Sequence, residues 1–196
     1  MTADCLTFTH HCRDYAQRLR SILESSQWDG VADLAAELKA CWSDGRQVFI
    51  CGNGGSAANA AHLANDFVYG ISKRLGSGIR ISALSANPSV LTCLANDCGY
   101  EAVFSMQLAV QARARDVLIV LSGSGNSPNI LQALEQAKVS GLRSYAILGY
   151  DGGKAKSMAD VPIHFDVHDM QISEDLQLIA GHMVMQWLCR SRPSAG

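Results

Sequence analysis

Several features that mark large classes of protein are missing from this 196-residue sequence. No uninterrupted apolar stretch approaches the roughly 20 residues of a membrane-spanning helix. The first 20 residues have no basic segment ahead of an apolar one, so they do not match a secretory signal. The 16 basic and 18 acidic residues leave a formal net charge of −2, without the positive surplus that favours nucleic acid or an anionic membrane. We therefore expect a cytoplasmic protein with no membrane or nucleic-acid partner.

Cysteine pairs at metal-binding or redox spacing are also missing. The seven cysteines are an odd number, they are widely scattered, and no two of them form a CxxC motif, so the pattern indicates reduced thiols. Cys51 comes just before a glycine-rich turn, and we interpret it as a buried structural residue, with a reactive thiol as the alternative. With 48% apolar residues, a chain of this length can form one domain around a single core.

Apolar periodicity predicts an N-terminal helical pair followed by alternating strands and helices. The pair covers residues 6–23 and 31–41. Runs rich in Val, Ile and Leu predict five strands, at residues 47–51, 79–84, 116–121, 144–148 and 161–165. Further helices are predicted at residues 56–69, 88–94, 100–111, 127–139 and 172–189. The alternation predicts an α/β fold, a three-layer αβα sandwich with a five-stranded parallel sheet. We expect the pair, within residues 1–45, to pack on a domain formed by residues 46–190.

Two glycine- and serine-rich turns, at residues 51–56 and 122–127, each follow a strand-like run and precede a helix-like stretch. Glycine lets the backbone approach an oxyanion, serine hydroxyls and backbone N–H groups donate to it, and a helix N-terminus favours negative charge. Neither turn continues into the Gly-Lys-Ser/Thr of a Walker loop, and neither has the GxGxxG spacing of a dinucleotide fold. Both would lie at the carboxyl ends of parallel strands, where such sheets bind ligands. The turns therefore predict a site for a small phosphorylated molecule.

Titratable residues on two predicted helices are candidates for chemistry. His62 and Asp66 are spaced i, i+4, so they share a helix face, as a metal or acid/base pair or as an ordinary surface pair. His182 lies in a mostly apolar stretch, where a buried structural histidine is the alternative to function. Glu174 is eight residues from His182, roughly 12 Å along a helix, so the two share a ligand only if both reach toward it or two subunits contribute.

The chain resembles the sugar isomerase (SIS) domain family, and within it the phosphoheptose isomerases, over nearly its whole length. The resemblance rests on GNGGSAANAAHLANDF at 52–67, LANDCGYEAVFSMQL at 94–108, DVLIVLSGSGNSPNILQALEQAK at 116–138, YDGG at 150–153 and the late histidine at 182. The resemblance implies an aldose–ketose isomerase that converts sedoheptulose 7-phosphate to D-glycero-heptose 7-phosphate through an enediol. It also implies a homotetramer with active sites between subunits.

The resemblance also implies roles for individual residues. The residues that match substrate-binding positions are Asn53, Gly54, Gly55, Ser56, Asn96, Asp97, Ser122, Gly123, Ser124, Ser127 and Glu174. The residues that match a zinc and acid/base set are His62, Asp66, Glu174 and His182. Within that set Asp66 would abstract a carbon-bound proton, His182 would act as acid and base at the oxygen, and zinc at His62 and Glu174 would polarise or organise the site. Read without the resemblance, Asn96 and Asp97 simply end a short helix before a glycine.

Three positions depart from the pattern of the family. Gly123 stands where threonine is common, which removes a hydroxyl but keeps a backbone N–H. Asp66 replaces glutamate and is one methylene shorter. Glu174 replaces glutamine, and its negative charge would strengthen binding of a divalent cation but repel an enediolate.

Two alternatives to an enzyme come from the same family. One is a non-catalytic binding protein, similar to the member that associates with the bacterial replication initiator and lacks the late histidine. The other is a sugar-phosphate sensor, which would keep the phosphate-binding serines without needing His182. The presence of His182 favours the enzyme.

Overall fold

The structure is a computed structural model that describes residues 3–191, with side chains described from residue 7 onward. The helices are Ala3–Ser25 (α1), Asp29–Asp44 (α2), Gly54–Asn65 (α3), Ile71–Leu75 (α4), Pro88–Cys98 (α5), Ser105–Gln111 (α6), Pro128–Ser140 (α7), Ala155–Met158 (α8) and Met170–Arg190 (α9). The strands are Val48–Gly52 (β1), Ile81–Ala83 (β2), Val117–Ser122 (β3), Arg143–Leu148 (β4) and Val161–His164 (β5). No helix in the described part of the chain is long and apolar enough to span a membrane.

The five strands form one parallel sheet in the order β2-β1-β3-β4-β5. The predicted α/β fold with five parallel strands is therefore confirmed. The chain moves from β1 outward to β2, then returns across β1 to β3 on the other side. Two crossovers thus leave the sheet in opposite directions beside β1, and this point of reversal is where open α/β sheets bind ligands.

Alternate side chains of the central strands enter two separate cores, one on each face of the sheet. Val48 and Ile50 of β1 belong to the core beneath α2, α3 and α9, whereas Phe49 and Cys51 belong to the core beneath α6, α7 and α8. A strand buried on both faces reads as a continuous apolar run, which is why the strands were visible in the sequence. Burial holds the pKa of the Cys51 thiol well above its usual range, as expected for the structural cysteine.

Two predicted elements differ from those observed. The helix predicted at 100–111 is wrong as a single element, because the chain forms a 3₁₀ turn, Tyr100–Ala102, before α6 begins. The N–H of Ala102 reaches back only three residues to Gly99 O, and one turn of periodicity cannot separate that pattern from an α-helix. The strand predicted at 79–84 shortens to β2 because the N–H of Ile79 donates to Phe67 O and not to β1.

The helix predicted at 56–69 starts earlier and extends further than expected. After α3 the chain continues through a π-helical segment, Asp66–Gly70, directly into α4. Such π-helical turns are rare and occur often at functional sites. Asp66, a predicted site residue, is the first residue of this one.

Candidate functional site

The two glycine- and serine-rich turns meet at the carboxyl edge of the sheet, on either side of the reversal point. They enclose a cavity of about 270 Å³, which we call the anion cavity. Its lining consists of Asn53, Gly54, Gly55, Ser56, Leu121, Ser122, Gly123, Ser124, Ser127, Met170 and Glu174. The structure thus brings together nine of the predicted substrate-binding residues, and it adds Met170, which no sequence motif indicated.

The loop after β3 is held in a fixed shape by its own side chains and by a neighbouring turn. Ser122 Oγ accepts a hydrogen bond of 3.0 Å from the N–H of Gly125, which has a positive φ of 64°. A side chain at Gly125 would place its Cβ 2.0 Å from Gly152 O, and one at Gly153 would place it 2.4 Å from Ser124 O. The glycine pair after β4 therefore braces the loop, and only glycine permits this contact.

The loop leaves suitable donors facing the cavity. Ser127 is the N-cap residue of α7, and its side chain makes no capping hydrogen bond. Pro128, the first residue of α7, has no N–H, and the N–H groups of Ile130 and Leu131 donate to Ser127 O, so the Ser127 hydroxyl and the N–H of Asn129 are the donors left for an anion at this helix start. At Gly123 a Cβ would lie 2.7 Å from Met170 Sδ, so the methionine fills the space that a larger residue would take. This packing accounts for glycine at the position where threonine is common.

The first turn is fixed by an amide pair that sequence reasoning missed. Asn53 and Asn129 donate to each other through their side chains, with both N–O distances 2.8 Å, and Tyr100 Oη donates to Asn53 Oδ1 at 2.9 Å. Asn129 is 1% exposed and follows the phosphate loop by two residues. The reciprocal pair therefore locks the two turns together across the cavity. In the sequence, the one signal for this role was an asparagine two residues after the serine-rich turn.

The side chains of His62, Asp66 and His182 converge on one point, and we call them the His–Asp cluster. The Nε2 atoms of the two histidines lie 3.0 Å apart. Asp66 Oδ2 lies 3.6 Å from His62 Nε2 and 3.4 Å from His182 Nε2. The side chains are 50%, 20% and 40% exposed for residues 62, 66 and 182, so the cluster opens to solvent. The buried-histidine alternative does not describe His182, which is 40% exposed, and the surface pair of His62 and Asp66 is joined by a third side chain.

Close packing of α3 on α9 creates the His–Asp cluster. Gly181 lies against Leu63, where an added Cβ would come within 2.4 Å of that side chain. Nearer the cavity, Gln177 Nε2 donates to Ser56 Oγ at 3.0 Å, and Asn59 Nδ2 donates to Gln177 Oε1 at the same distance. Later residues of α3 contact later residues of α9. The two helices therefore run in parallel, and both lead away from the cavity.

The three converging atoms fit a divalent metal. Zinc–nitrogen distances of about 2.0–2.1 Å and tetrahedral angles place two ligand nitrogens about 3.3 Å apart, close to the separations in the cluster. Three protein ligands with an open fourth position are typical of a catalytic zinc site. The ligand atoms of these three residues lie within 4.8 Å of one another, close enough to hold one metal ion. The same is true of the exposed Asp151, Asp166 and His168 on the loops around β5.

Glu174 lies in the anion cavity and is not among the three converging residues. A Cβ added at Gly55 would come within 2.4 Å of both Glu174 carboxylate oxygens, so the carboxylate rests on the first turn of α3. The N-terminus of a helix favours such a charge. The eight-residue gap between Glu174 and His182, noted in the sequence, is thus a real separation along α9 within one chain.

Asn96 and Asp97 do not line the anion cavity. Both lie near the end of α5 and are exposed, and Asn96 Nδ2 donates to Asp97 Oδ1 at 2.7 Å. The same segment nevertheless reaches the site, because Tyr100 contacts Asn53.

Two contacts with α1 fix the position of α9. Tyr15 Oη donates to Asp175 Oδ2 at 2.6 Å, and burial together with this bond raises the pKa of Tyr15 to about 12. Asp169 caps α9 by accepting from Ile172 N at 3.1 Å, and it pairs with Arg18 at 2.9 Å. The capping bond and the arginine lower the pKa of Asp169. The N-terminal helical pair therefore supports the helix that carries Glu174 and His182.

Comparison with known proteins identifies the family of the chain. A sequence model of the SIS domain matches residues 10–149. A phosphoheptose isomerase of Desulfovibrio desulfuricans is 34% identical over 180 residues, which cover 91% of this chain and 84% of the relative. One of Helicobacter pylori is 38% identical over 170 residues, which cover 87% of this chain and 88% of the relative.

Solved structures resemble the whole fold. A phosphoheptose isomerase of Neisseria gonorrhoeae matches with a TM-score of 0.85 at 28% identity, covering 97% of this chain and 100% of that one. One of Francisella tularensis matches with a TM-score of 0.88 over the same shares at 22% identity, a level that shows the fold alone. The match to the SIS domain over most of the chain and the relatives above 30% identity place this protein in the SIS domain family.

Proposed function

We propose that the protein is a phosphoheptose isomerase that interconverts sedoheptulose 7-phosphate and D-glycero-heptose 7-phosphate. The names of its relatives support an isomerase of this class. The observation that carries the proposal is the arrangement of two sites along α3 and α9. The anion cavity lies where both helices begin, and the His–Asp cluster lies about two turns further, roughly 12 Å away along α9. A heptose 7-phosphate likewise carries its phosphate and its reacting carbons at opposite ends.

The anion cavity would hold the phosphate through neutral donors, because no cation among the described residues lines it and its one charged lining residue is the negative Glu174. Hydroxyl groups of the loop and the N–H of Asn129 would donate to the phosphate oxygens, and hydrogen bonds to a charged group are the stronger kind. Holding this remote end fixes the reacting carbons relative to the cluster, which is how binding energy away from the reaction accelerates it.

The His–Asp cluster would move the protons. Asp66 removes a proton from C1 of the ketose while His182 protonates the oxygen on C2, which gives the enediol. His182 then takes the proton of the C1 hydroxyl, and Asp66 returns a proton to C2, which gives the aldose. The π-helical segment begins at Asp66 and changes the local backbone path there. This supports a shorter carboxylate at a position where the family has glutamate.

We propose zinc at His62, Asp66 and His182, because their three ligand atoms fit its geometry. Zinc bound there would polarise the carbonyl oxygen of the substrate. A side-chain atom bound to a metal does not exchange protons at the same time, so zinc held by all three residues and proton transfer by Asp66 and His182 are alternatives, which the metal content and the activity after chelation distinguish. Elemental analysis of never-chelated protein tests the metal. We expect near-stoichiometric zinc that His62→Ala removes and His168→Ala retains, whereas full activity after complete chelation would leave the proton-transfer roles alone.

We further propose a cytoplasmic homotetramer with active sites shared between subunits. The exposure of the His–Asp cluster supports shared sites, because proton transfer through an enediol needs protection from water. The location of Asn96 and Asp97 outside the cavity supports it as well, since a neighbouring copy could bring this pair to the sugar. Sedimentation analysis tests the assembly, and a monomer at working concentrations would contradict it. The reduced thiols predicted from the cysteine pattern support the location.

Direct incubation with sedoheptulose 7-phosphate, followed by NMR of the products, tests the proposed reaction. We expect the aldose 7-phosphate to accumulate to a fixed ratio with the ketose. Saturable binding of the sugar phosphate without any product would overturn the enzyme and favour the non-catalytic binding protein.

A further inference from the structure

A second polar cavity, of about 490 Å³, lies at the opposite edge of the sheet, where the strands begin. We call it the amino-edge pocket. Three arginines, Arg46, Arg80 and Arg113, line it, together with Gln47 and Asp116. Gln47 directly precedes β1, Arg80 directly precedes β2, and Asp116 directly precedes β3. The pocket is therefore separated from the anion cavity by the five-residue length of β1, about 16 Å.

The arginines of this pocket differ in what they contact. Arg46 is held by Glu37 at 2.7 Å and by Asp44 at 3.2 Å. The side chain of Arg80 makes one hydrogen bond among the described residues, from Nη1 to Gly45 O at 2.9 Å, and it pairs with no carboxylate there. The guanidinium of Arg113 has no hydrogen-bond or ion-pair partner within residues 3–191. Two guanidinium groups on one pocket thus keep most of their donors unused.

The acidic residue in the lining does not neutralise them by contact. Asp116 is 6% exposed, and its two carboxylate oxygens accept hydrogen bonds from the N–H groups of Gln47 and Arg113, at 3.0 and 2.8 Å. It serves as a brace between the starts of β1 and β3. The carboxylate is therefore already satisfied, whereas Arg80 and Arg113, which line the pocket and are exposed, keep free donors.

The backbone around Arg113 is fixed. Asp116 N donates to Arg113 O at 3.1 Å, and Arg115 N donates to Gly141 O at 2.8 Å. Arg115 has a positive φ of 75°, a conformation that side chains other than glycine rarely adopt. The turn at 113–116 is thus held by several bonds in an unfavourable shape, and Arg113 is presented from a rigid support.

We propose that the amino-edge pocket is a second anion site that binds a small phosphate-bearing metabolite, separate from the substrate. Guanidinium groups match phosphate oxygens through paired N–H donors, and two of them, on the segments that lead into the strands on either side of β1, can hold one polyanion. A cavity of this size admits a molecule no larger than a sugar phosphate or a small nucleotide. The largely polar lining fits a hydrophilic ligand.

Hydrogen-exchange mass spectrometry of the full chain, with inorganic pyrophosphate as the probe, tests the site by position. We expect pyrophosphate to protect amides at 45–49, 80–82 and 111–116 in the wild-type protein, besides any protection of the phosphate loop at 122–129. The variant R80Q/R113Q should lose the first set and keep the second. Protection confined to 122–129 in the wild-type protein, or unchanged protection in R80Q/R113Q, would overturn the proposal.

A matched pair of variants separates a built site from general charge. R74Q/R190Q removes two exposed arginines outside the pocket and should bind like the wild-type protein. R80Q/R113Q should weaken pyrophosphate binding at least about tenfold in calorimetry, with an unchanged Tm because both side chains are exposed. R113K keeps the charge without the planar fork and should fall between them. Equal weakening in both double variants would show bulk attraction only and would contradict the proposal.

Discussion

The anion cavity and the His–Asp cluster lie along the same two helices but are built in different ways. The cavity is made by two loops whose shape is fixed by glycines, by the Asn53–Asn129 amide pair and by the Gly152–Gly153 turn. The cluster is made by three side chains that meet at the surface, two of them 40% or more exposed. The anion cavity is thus formed by segments of one chain, whereas the His–Asp cluster is open to solvent.

The anion cavity and the His–Asp cluster are therefore specified by different parts of the sequence. Loop geometry is local, so a few adjacent residues specify a phosphate site. A meeting of His62 with His182, 120 residues apart, depends on the packing of α3 against α9. Substitutions in the loops should therefore change affinity, and substitutions in the cluster should change turnover.

The largest effect on turnover should come from His182→Gln. The variant keeps a polar side chain of similar size but cannot act as an acid and base near neutral pH. We expect kcat to fall by about 10² to 10⁴, while KM and Tm change little. His168→Gln, at an exposed histidine outside the cluster, is the matched control and should leave kcat unchanged. A loss of stability with unchanged turnover per folded molecule would return His182 to a structural role.

Ser124→Ala tests the anion cavity through the affinity for the substrate. Removal of a hydroxyl from the phosphate loop should raise KM by about 10- to 150-fold, which corresponds to about 1.5–3 kcal/mol for a hydrogen bond to a charged group. The effect on kcat should be much smaller. Ser157→Ala removes an exposed hydroxyl that donates to Lys154 O, outside both parts of the site, and should leave both constants unchanged. Steady-state kinetics decides, and an unchanged KM would place the phosphate elsewhere.

Asn129→Leu tests whether the amide pair positions the first turn. The change leaves the Asn53 side chain without its 2.8 Å partner, so we expect a loss of about 1–3 kcal/mol in the free energy of unfolding. KM should rise because the two turns are no longer locked together. Denaturant unfolding and kinetics on the same sample measure both effects. A destabilised variant with wild-type KM would limit Asn129 to folding.

Tyr15→Phe should give the smallest effect, because it loosens α9 without touching either site. Loss of the bond to Asp175 should cost about 0.5–1.5 kcal/mol. The raised pKa of Tyr15 means that the folded state keeps this proton more tightly than the unfolded state. The stabilisation is therefore fully present below pH 10 and is lost as the pH rises toward about 12. Unfolding of both proteins across this range should show their stabilities converging, and a constant difference would contradict the assignment.

The sequence predicted the loops of the site better than its cluster. Eight cavity residues could be named because they lie in the two glycine- and serine-rich turns, whose consequences are local. The sheet was visible because its strands are apolar on both faces. The role of Asn129, the filling of the space at Gly123 by Met170 and the location of Glu174 in the cavity depend on contacts between distant segments. The π-helical segment at Asp66 was not predicted, because apolar periodicity over one turn does not distinguish the helix types.

The reaction in D₂O tests directly whether Asp66 is the base that forms the enediol. Wild-type protein and Asp66→Asn are each incubated with sedoheptulose 7-phosphate, and the aldose product is followed by NMR. Wild-type protein should form the aldose, with deuterium at C2 to the extent that the proton held by Asp66 exchanges with solvent before it is returned, whereas Asp66→Asn should form the aldose at least about 10² times more slowly. Formation of the aldose by Asp66→Asn at the wild-type rate would contradict that role of Asp66.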